Sequence, residues 1–378
     1  MSRNLKTKNV LIVIGTRPEA IKMAPIIHVL REKQNFKTIV CATGQHRQML
    51  DQVLNIFKIT PNFDLNIMTT NQSLSDITCA VLKKVTKIVE KTSPDIVLVQ
   101  GDTTTTMATC LAAYYHKITV GHVEAGLRTG NIYSPWPEEI NRKIATAIAT
   151  YHFAPTDRAR KNLIDEHVPA EKIFVTGNTV VDALQYVTKK INSDTRLRTQ
   201  LLSQFSYIDP HKKLILVTGH RRENFGDGFK NICQAIATIS KRKDVQIIYP
   251  VHLNPNVKIP VESMLSGLPN VNLIDPLDYV PFVYLMSQAY LILTDSGGVQ
   301  EEAPSLGKPV LVMRNATERP EIIESGAGIV VGTSCEKIVS EVNELLNNQD
   351  KHSKMSFIHN PYGDGKASIR IVDKLEEI

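Results

Sequence analysis

Aromatic side chains are scarce in this sequence, at 6% of residues with a single tryptophan, Trp136. No dense Lys/Arg stripe interleaved with aromatics occurs, so a nucleic-acid partner is not expected. Cysteine is sparse too: Cys41, Cys79, Cys110, Cys233 and Cys335 are scattered without a C-x-x-C pair. That spacing points to reduced thiols and away from a disulfide framework or a zinc site. No apolar run reaches membrane-spanning length, and there is no low-complexity tract. The start, Met1-Ser-Arg-Asn-Leu-Lys-Thr-Lys-Asn, is polar and lacks the apolar core of a signal peptide, so a cytoplasmic location without membrane attachment is expected.

What is present is an ordinary globular composition, 42% hydrophobic and 22% charged, over 378 residues. That length exceeds what one hydrophobic core supports, so two domains are expected. The net charge of +6 is explained by a solvated face, although several basic residues fall inside glycine-containing segments, which favours a small anionic ligand. Short Val/Ile-rich runs alternate with helical patterns along nearly the whole chain. Strands are expected at Val10–Ile14, Thr38–Cys41, Ile96–Val99, Thr119–Val123, Tyr151–Ala154 and Ile173–Val175. A second series is expected at Leu214–Val217, Val245–Tyr249, Val271–Ile274, Leu291–Thr294 and Val310–Met313. Continuous apolar runs with helices between them mean buried parallel strands, hence an α/β protein with two Rossmann-like doubly wound domains. The boundary is placed near Thr176-Gly-Asn-Thr, giving domains over 1–177 and 178–360. A last helix within 361–378, with Ile369, Val372 and Leu375 on one face, either finishes the second domain or crosses back to the first.

Three acids stand out. Asp102 follows the run Ile96-Val-Leu-Val-Gln, Glu124 follows Ile118-Thr-Val-Gly-His-Val, and Glu138 closes Tyr133-Ser-Pro-Trp-Pro-Glu. In an open parallel sheet, the carboxyl ends of strands line the ligand crevice, so carboxylates delivered there are candidates for proton transfer. Each has a plain alternative: Asp102 as a helix N-cap, Glu124 as the counter-charge of Arg128, Glu138 as a first-turn residue after Pro137. Three together favour chemistry. Trp136 either shapes this site or packs.

Glycine segments follow other strands. Gly15-Thr-Arg-Pro-Glu-Ala-Ile-Lys puts Arg17 and Lys22 near a helix N-terminus, where a phosphate is favoured. It is neither a dinucleotide fingerprint nor a Walker sequence. Asp295-Ser-Gly-Gly offers Ser296 as an N-cap, with Gly297 and Gly298 opening the backbone to a ligand. Glu301 then complements the helix dipole and Glu302 reaches ribose hydroxyls, while Arg314 and Arg319 add positive charge. His220, in Gly219-His-Arg-Arg-Glu-Asn-Phe-Gly, and more weakly His252, are read as ligand contacts. No metal is implied, because the acids lack a ligand cluster.

Taken in order, these segments, with Thr43-Gly-Gln-His-Arg, Pro250-Val-His-Leu-Asn-Pro, Arg319-Pro-Glu and Asn360-Pro-Tyr-Gly-Asp-Gly-Lys-Ala, closely resemble the non-hydrolysing bacterial UDP-N-acetylglucosamine 2-epimerases over essentially the whole chain. The resemblance implies a glycosyltransferase-B (GT-B) type fold with the substrate in a central cleft, the tail helix 361–378 packed back on the first domain, and a homodimer. It implies reversible interconversion of UDP-N-acetylglucosamine and UDP-N-acetylmannosamine, without a cofactor, for cell-envelope polysaccharide synthesis. By the same resemblance Asp102, Glu124, Glu138 and His220 are catalytic with Arg142 beside them. Arg17, Lys22, His220, Phe282, Ser296, Gly297, Gly298, Glu302 and Arg319 would bind UDP. Gln45, Gln48, Arg221 and His252 resemble a site where a second UDP-N-acetylglucosamine activates some members.

The carbon 2 proton has no adjacent carbonyl and is hardly acidic. Breaking the anomeric bond to UDP makes it removable, and re-addition of UDP to 2-acetamidoglucal gives the epimer. Rival readings are a hydrolysing relative, a GT-B glycosyltransferase, and a nucleotide-sugar sensor, which would not need the acid cluster.

Overall fold

The computed structural model describes residues 7–44, 47–69 and 72–378. Apolar runs build its strands, because parallel strands covered by helices on both faces bury every side chain. The first sheet comprises β1 (Lys8–Ile14), β2 (Phe36–Ala42), β3 (Phe63–Asp64), β4 (Ile96–Gln100), β5 (Thr119–Val123), β6 (Tyr151–Ala154) and β7 (Ile173–Val175). Its order is β3-β2-β1-β4-β5-β6-β7. The second comprises β8 (Lys213–Thr218), β9 (Val245–Pro250), β10 (Val271–Ile274), β11 (Leu291–Thr294), β12 (Val310–Val312) and β13 (Gly328–Val330), in the order β10-β9-β8-β11-β12-β13. Pairing is parallel throughout. The α/β, doubly wound expectation therefore holds for both halves.

Each sheet has one topological switch point, where successive strands are laid down in opposite directions from a central pair. In the first it lies between β1 and β4, in the second between β8 and β11. Loops at the carboxyl ends of those pairs diverge and leave room for a ligand. The first core packs Leu11, Val13, Val97, Val99 and Val120 against Val81, Val85, Ala108 and Ala112 from helices. The second packs Ile215, Val217, Ile247 and Leu293 against Phe229 and Ile236.

Internal packing groups the chain into two units, one running up to Ala183 and including Tyr362–Ile378, the other Leu184–Pro361. The helix Thr179–Ser193 changes unit partway along, because its first turn is tied to the tail. Buried Asp182 accepts from Ala367 N, Ser368 N and the Ser368 hydroxyl. The tail helix Ala367–Glu377 buries Ile371, Val372 and Leu375. Lys8 Nζ donates to its last carbonyls, Leu375 O at 2.9 Å and Glu376 O at 3.3 Å. Ile369, expected on the apolar face, is instead 45% exposed, one position out of register with the buried stripe. Among the described residues no helix is long and apolar enough to cross a membrane.

Candidate active site

In the first unit, the loops after β1 and β4 are locked together by one buried carboxylate. Thr16 caps the helix Arg17–Glu32, and Glu19 completes the capping box. Glu19 also accepts from Gly15 N at 3.0 Å and from the Thr103 hydroxyl at 2.8 Å. Burial pushes this carboxyl up, against the pull of those donors. Gly15 is required by the close approach: a Cβ there would lie 2.3 Å from Thr105 Oγ1. Arg17 stands at the head of this helix, as its first residue.

Thr103, not Asp102, caps the helix Thr104–Tyr115. Asp102 is thereby released from the capping role that its position allowed. Its carboxylate receives Arg142 Nε at 2.9 Å and Arg142 Nη2 at 2.8 Å, and Asn141 Nδ2 donates to its carbonyl. Arg142 is buried and is braced by Glu139 at 3.1 Å. Both Asn141 and Arg142 belong to the helix Glu138–Ile148, so docking them on Asp102 brings Glu138, in its first turn, to the same place. Glu138 Oε2 is buried with no hydrogen-bond partner among the described residues. A carboxylate oxygen in that state is costly unless a ligand completes it. Trp136, two residues earlier, is exposed rather than packed.

Glu124 does not balance Arg128, which is bidentate to Glu166. It lies instead against Gly101, where a Cβ would be 3.6 Å from its Oε2. Lys22 Nζ reaches Glu124 Oε1 at 2.5 Å, Asn178 Nδ2 reaches the same oxygen at 2.8 Å, and Gln100 Nε2 donates to Oε2. Lys22, expected on a phosphate, thus stands among the acids. Behind them His122 bonds the Gly101 carbonyl at 2.7 Å, and burial pushes its imidazole down to about 4.

In the second unit, β8 delivers His220 and β11 delivers Asp295 to Gly298, on either side of the switch point. Asp295 is fully buried and accepts from His220 N, Arg221 N and Asn224 Nδ2. His220 Nδ1 lies 3.6 Å from Asp295 Oδ1, and its ring stacks on His252 with centroids 5.6 Å apart. Burial pushes His220 below its ordinary value, Arg221 and His252 add to that, and Asp295 opposes it. Ser296 occupies the N-cap position without a side-chain cap bond. Gly297 supplies space: a Cβ there would lie 3.7 Å from both Arg221 Nη2 and Arg319 Nη2. Two guanidinium groups therefore converge on one glycine. Arg319 is held by Glu301 at 2.5 Å, which gives Glu301 a specific partner beyond the helix dipole. Glu302 is buried and accepts from the Tyr279 hydroxyl at 2.6 Å. Phe282 lies on the same helix as Tyr279, half-buried. Arg314 contributes little free charge, being paired with Glu223 at 2.6 Å and Glu318 at 3.5 Å.

Of the residues resembling an activator site, Arg221 and His252 gather around His220 with the UDP-binding set. Gln45 lies outside the described residues, and for Gln48 only its place in the helix Arg47–Ile56 is described. Sequence reasoning missed Asp295, Glu19, Gln100 and Asn178 as site residues. Asp295, Glu19 and Gln100 lie inside the strand-end motifs themselves, and Asn178 lies inside the boundary segment Thr176-Gly-Asn-Thr.

Two doubly wound parallel sheets define a Rossmann-type protein, the first with acids at its strand ends and the second with guanidinium groups around a glycine-opened turn. A profile of the family described as UDP-N-acetylglucosamine 2-epimerase matches residues 28–376. The chain is 57% identical over 368 residues to the UDP-N-acetylglucosamine 2-epimerase of Yersinia pestis, covering 97% of this chain and 98% of that protein. It matches the crystal structure of the Neisseria meningitidis UDP-GlcNAc 2-epimerase bound to UDP-GlcNAc with a TM-score of 0.93 and 50% identity, over 98% of this chain and 100% of that one. The Methanocaldococcus jannaschii UDP-GlcNAc 2-epimerase in complex with UDP-GlcNAc and UDP follows at a TM-score of 0.83 and 36% identity, covering 98% and 100%. The chain belongs to the UDP-N-acetylglucosamine 2-epimerase family.

Proposed function

We propose that this protein interconverts UDP-N-acetylglucosamine and UDP-N-acetylmannosamine by eliminating UDP to 2-acetamidoglucal and adding it back. Family membership supports the substrate, since the Neisseria relative binds UDP-GlcNAc. The observation that carries the chemistry is the unpartnered, buried Glu138 oxygen on the helix that also grips Asp102. Asp102 and Glu138 move the carbon 2 proton, on opposite faces, with Glu124 tuning or sharing that role. Such groups supply about 10²–10⁴ each. Arg17, His220, Arg221 and Arg319 stabilise the departing diphosphate electrostatically, a term worth roughly 10²–10³ per donor.

The same reading carries a homodimer in the cytoplasm, two domains divided near residue 178, supply of cell-envelope polysaccharide, and activation by a second UDP-N-acetylglucosamine. It is tested by NMR of the purified protein with UDP-N-acetylglucosamine in heavy water, without metal or nicotinamide cofactor. Expected are both nucleotide sugars at equilibrium, each deuterated at carbon 2. Free N-acetylmannosamine with UDP would make it a hydrolysing enzyme, and an acceptor-dependent product a glycosyltransferase. Binding without turnover would leave it a sensor.

A further inference from the structure

We infer that Asn178 is a positioning residue for the epimerisation: its side-chain amide orients the Glu124 carboxylate beside Lys22, leaving the carbon 2 proton to Asp102 and Glu138. The inference rests on the epimerase reading above and deepens it.

Glu124 occupies the left-handed region at φ 62°. A residue with a side chain stays there only when its surroundings over-determine it. The surroundings are three donors: Lys22 Nζ and Asn178 Nδ2 on Oε1, Gln100 Nε2 on Oε2. The Asn178 amide cannot turn over to offer its oxygen, because Oδ1 already accepts Val180 N at 3.1 Å. All three neighbours are donors and one of them is charged, so the network holds the Glu124 side chain as an acceptor through both oxygens. Asp102 differs, being gripped by Arg142 through Oδ2, and Glu138 keeps an oxygen unpartnered. Of the three acids, Glu124 is the one with donors on both carboxylate oxygens.

Asn178 is itself held from two directions. Its backbone N–H donates to Tyr362 O at 2.7 Å, and it is 3% exposed. Gly177, at φ 89°, makes this contact possible: a Cβ there would lie 3.3 Å from Tyr362 O and 3.4 Å from Gly363 Cα. The exit from β7 and the returning tail therefore meet at the residue that sets Glu124.

The test is the near-isosteric Asn178→Asp, with Asn178→Ala beside it. The introduced carboxyl keeps an oxygen for Val180 N. Protonated, it donates to Glu124 in place of the amide; ionised, it repels Glu124. The neighbouring carboxylate raises the pKa of the introduced acid, so the donating form persists to higher pH than for an ordinary Asp. Turnover at saturating substrate is measured for variant and wild type from about pH 5.5 to about pH 8, spanning that transition. The variant-to-wild-type kcat ratio is expected to fall roughly tenfold as pH rises, the size of one lost charge-assisted bond. KM should stay within about twofold, since Glu124 would act on the transition state rather than on binding. Asn178→Ala should lose about tenfold in kcat at every pH, with no new transition. A flat ratio for Asn178→Asp in an active wild-type background overturns the inference and leaves the epimerase reading standing. Wild type that forms no epimer overturns both. The ratio is taken on one folded preparation, so it decides the matter even if the alanine variant does not fold.

Discussion

Every donor that Asp295 satisfies belongs to residues 220–224, the loop carrying His220. Replacing it by Ala leaves the backbone N–H groups of His220 and Arg221 without that acceptor, at about 1–3 kcal/mol each, while Asn224 Nδ2 keeps the Met313 carbonyl. Asp295→Ala is expected to lower the melting temperature and to reduce kcat by roughly 10²–10³, the cost of misplacing one electrostatic stabiliser. Asp295→Asn, which retains one acceptor oxygen, should fall between. A large drop in melting temperature with kcat untouched would remove His220 from the diphosphate. At this scale the sequence reading reached residue types and strand-end positions, since local motifs carry both. It did not reach partners. Lys22 and Glu124 are separated by 102 positions and Arg142 and Asp102 by 40, and only the sheet order makes them neighbours. The cap assignments show the same limit: Thr103 takes the role available to Asp102, and Ser296 N donates to Thr294 Oγ1 while its own side chain caps nothing.

Among elements, the central strands were legible because continuous burial leaves a continuous apolar run, as in Ile96-Val-Leu-Val-Gln. The two strands not foreseen, β3 and β13, both lie at sheet edges. β3 is two residues long, and β13 opens with Gly328, so neither offers the run that marks a buried strand. Their register is imposed by β2 and β12. On β5 and β6, His122 and His152 sit side by side in register. Burial, foremost, pushes each down to about 4 from 6.5, with a hydrogen bond to Gly101 opposing it at His122. Folding withholds a proton that the unfolded chain takes up below 6.5, so the stability present above that pH drains away as pH falls towards 4. The loss should reach on the order of 3 kcal/mol per histidine across the whole window. Urea unfolding at a series of pH values checks this. His122→Asn should flatten the slope in the acid range, and an unchanged slope would show that the pair does not govern acid stability.

For the molecule as a whole, the sequence could present the tail only as an apolar stripe with two possible docks, because its anchors come from far away. Those anchors are Asp182 on Ala367 and Ser368, Lys8 on Leu375 and Glu376, and Lys33 with Asn35 on the Glu376 carboxylate. Beneath them Tyr362, Ile371, Val372 and Leu375 are buried, each apolar side chain contributing about 1.5–3 kcal/mol. A domain's net stability is only about 5–15 kcal/mol, so the tail is comparable to the whole margin of the unit it completes. Ending the chain at Pro361 should therefore unfold the first unit, which loses that cover and leaves the Asp182 carboxylate buried without donors. The second unit, Leu184–Pro361, keeps every residue of its core. Hydrogen exchange on the truncated chain should show amide protection lost across β1–β7 and retained across β8–β13, with epimerisation abolished. Asp182→Ala in the full chain should give a milder form, with the first unit melting earlier. Equal loss of protection in both sheets would mean that the units fold as one cooperative body, and undiminished protection in β1–β7 that the tail is dispensable to the first core.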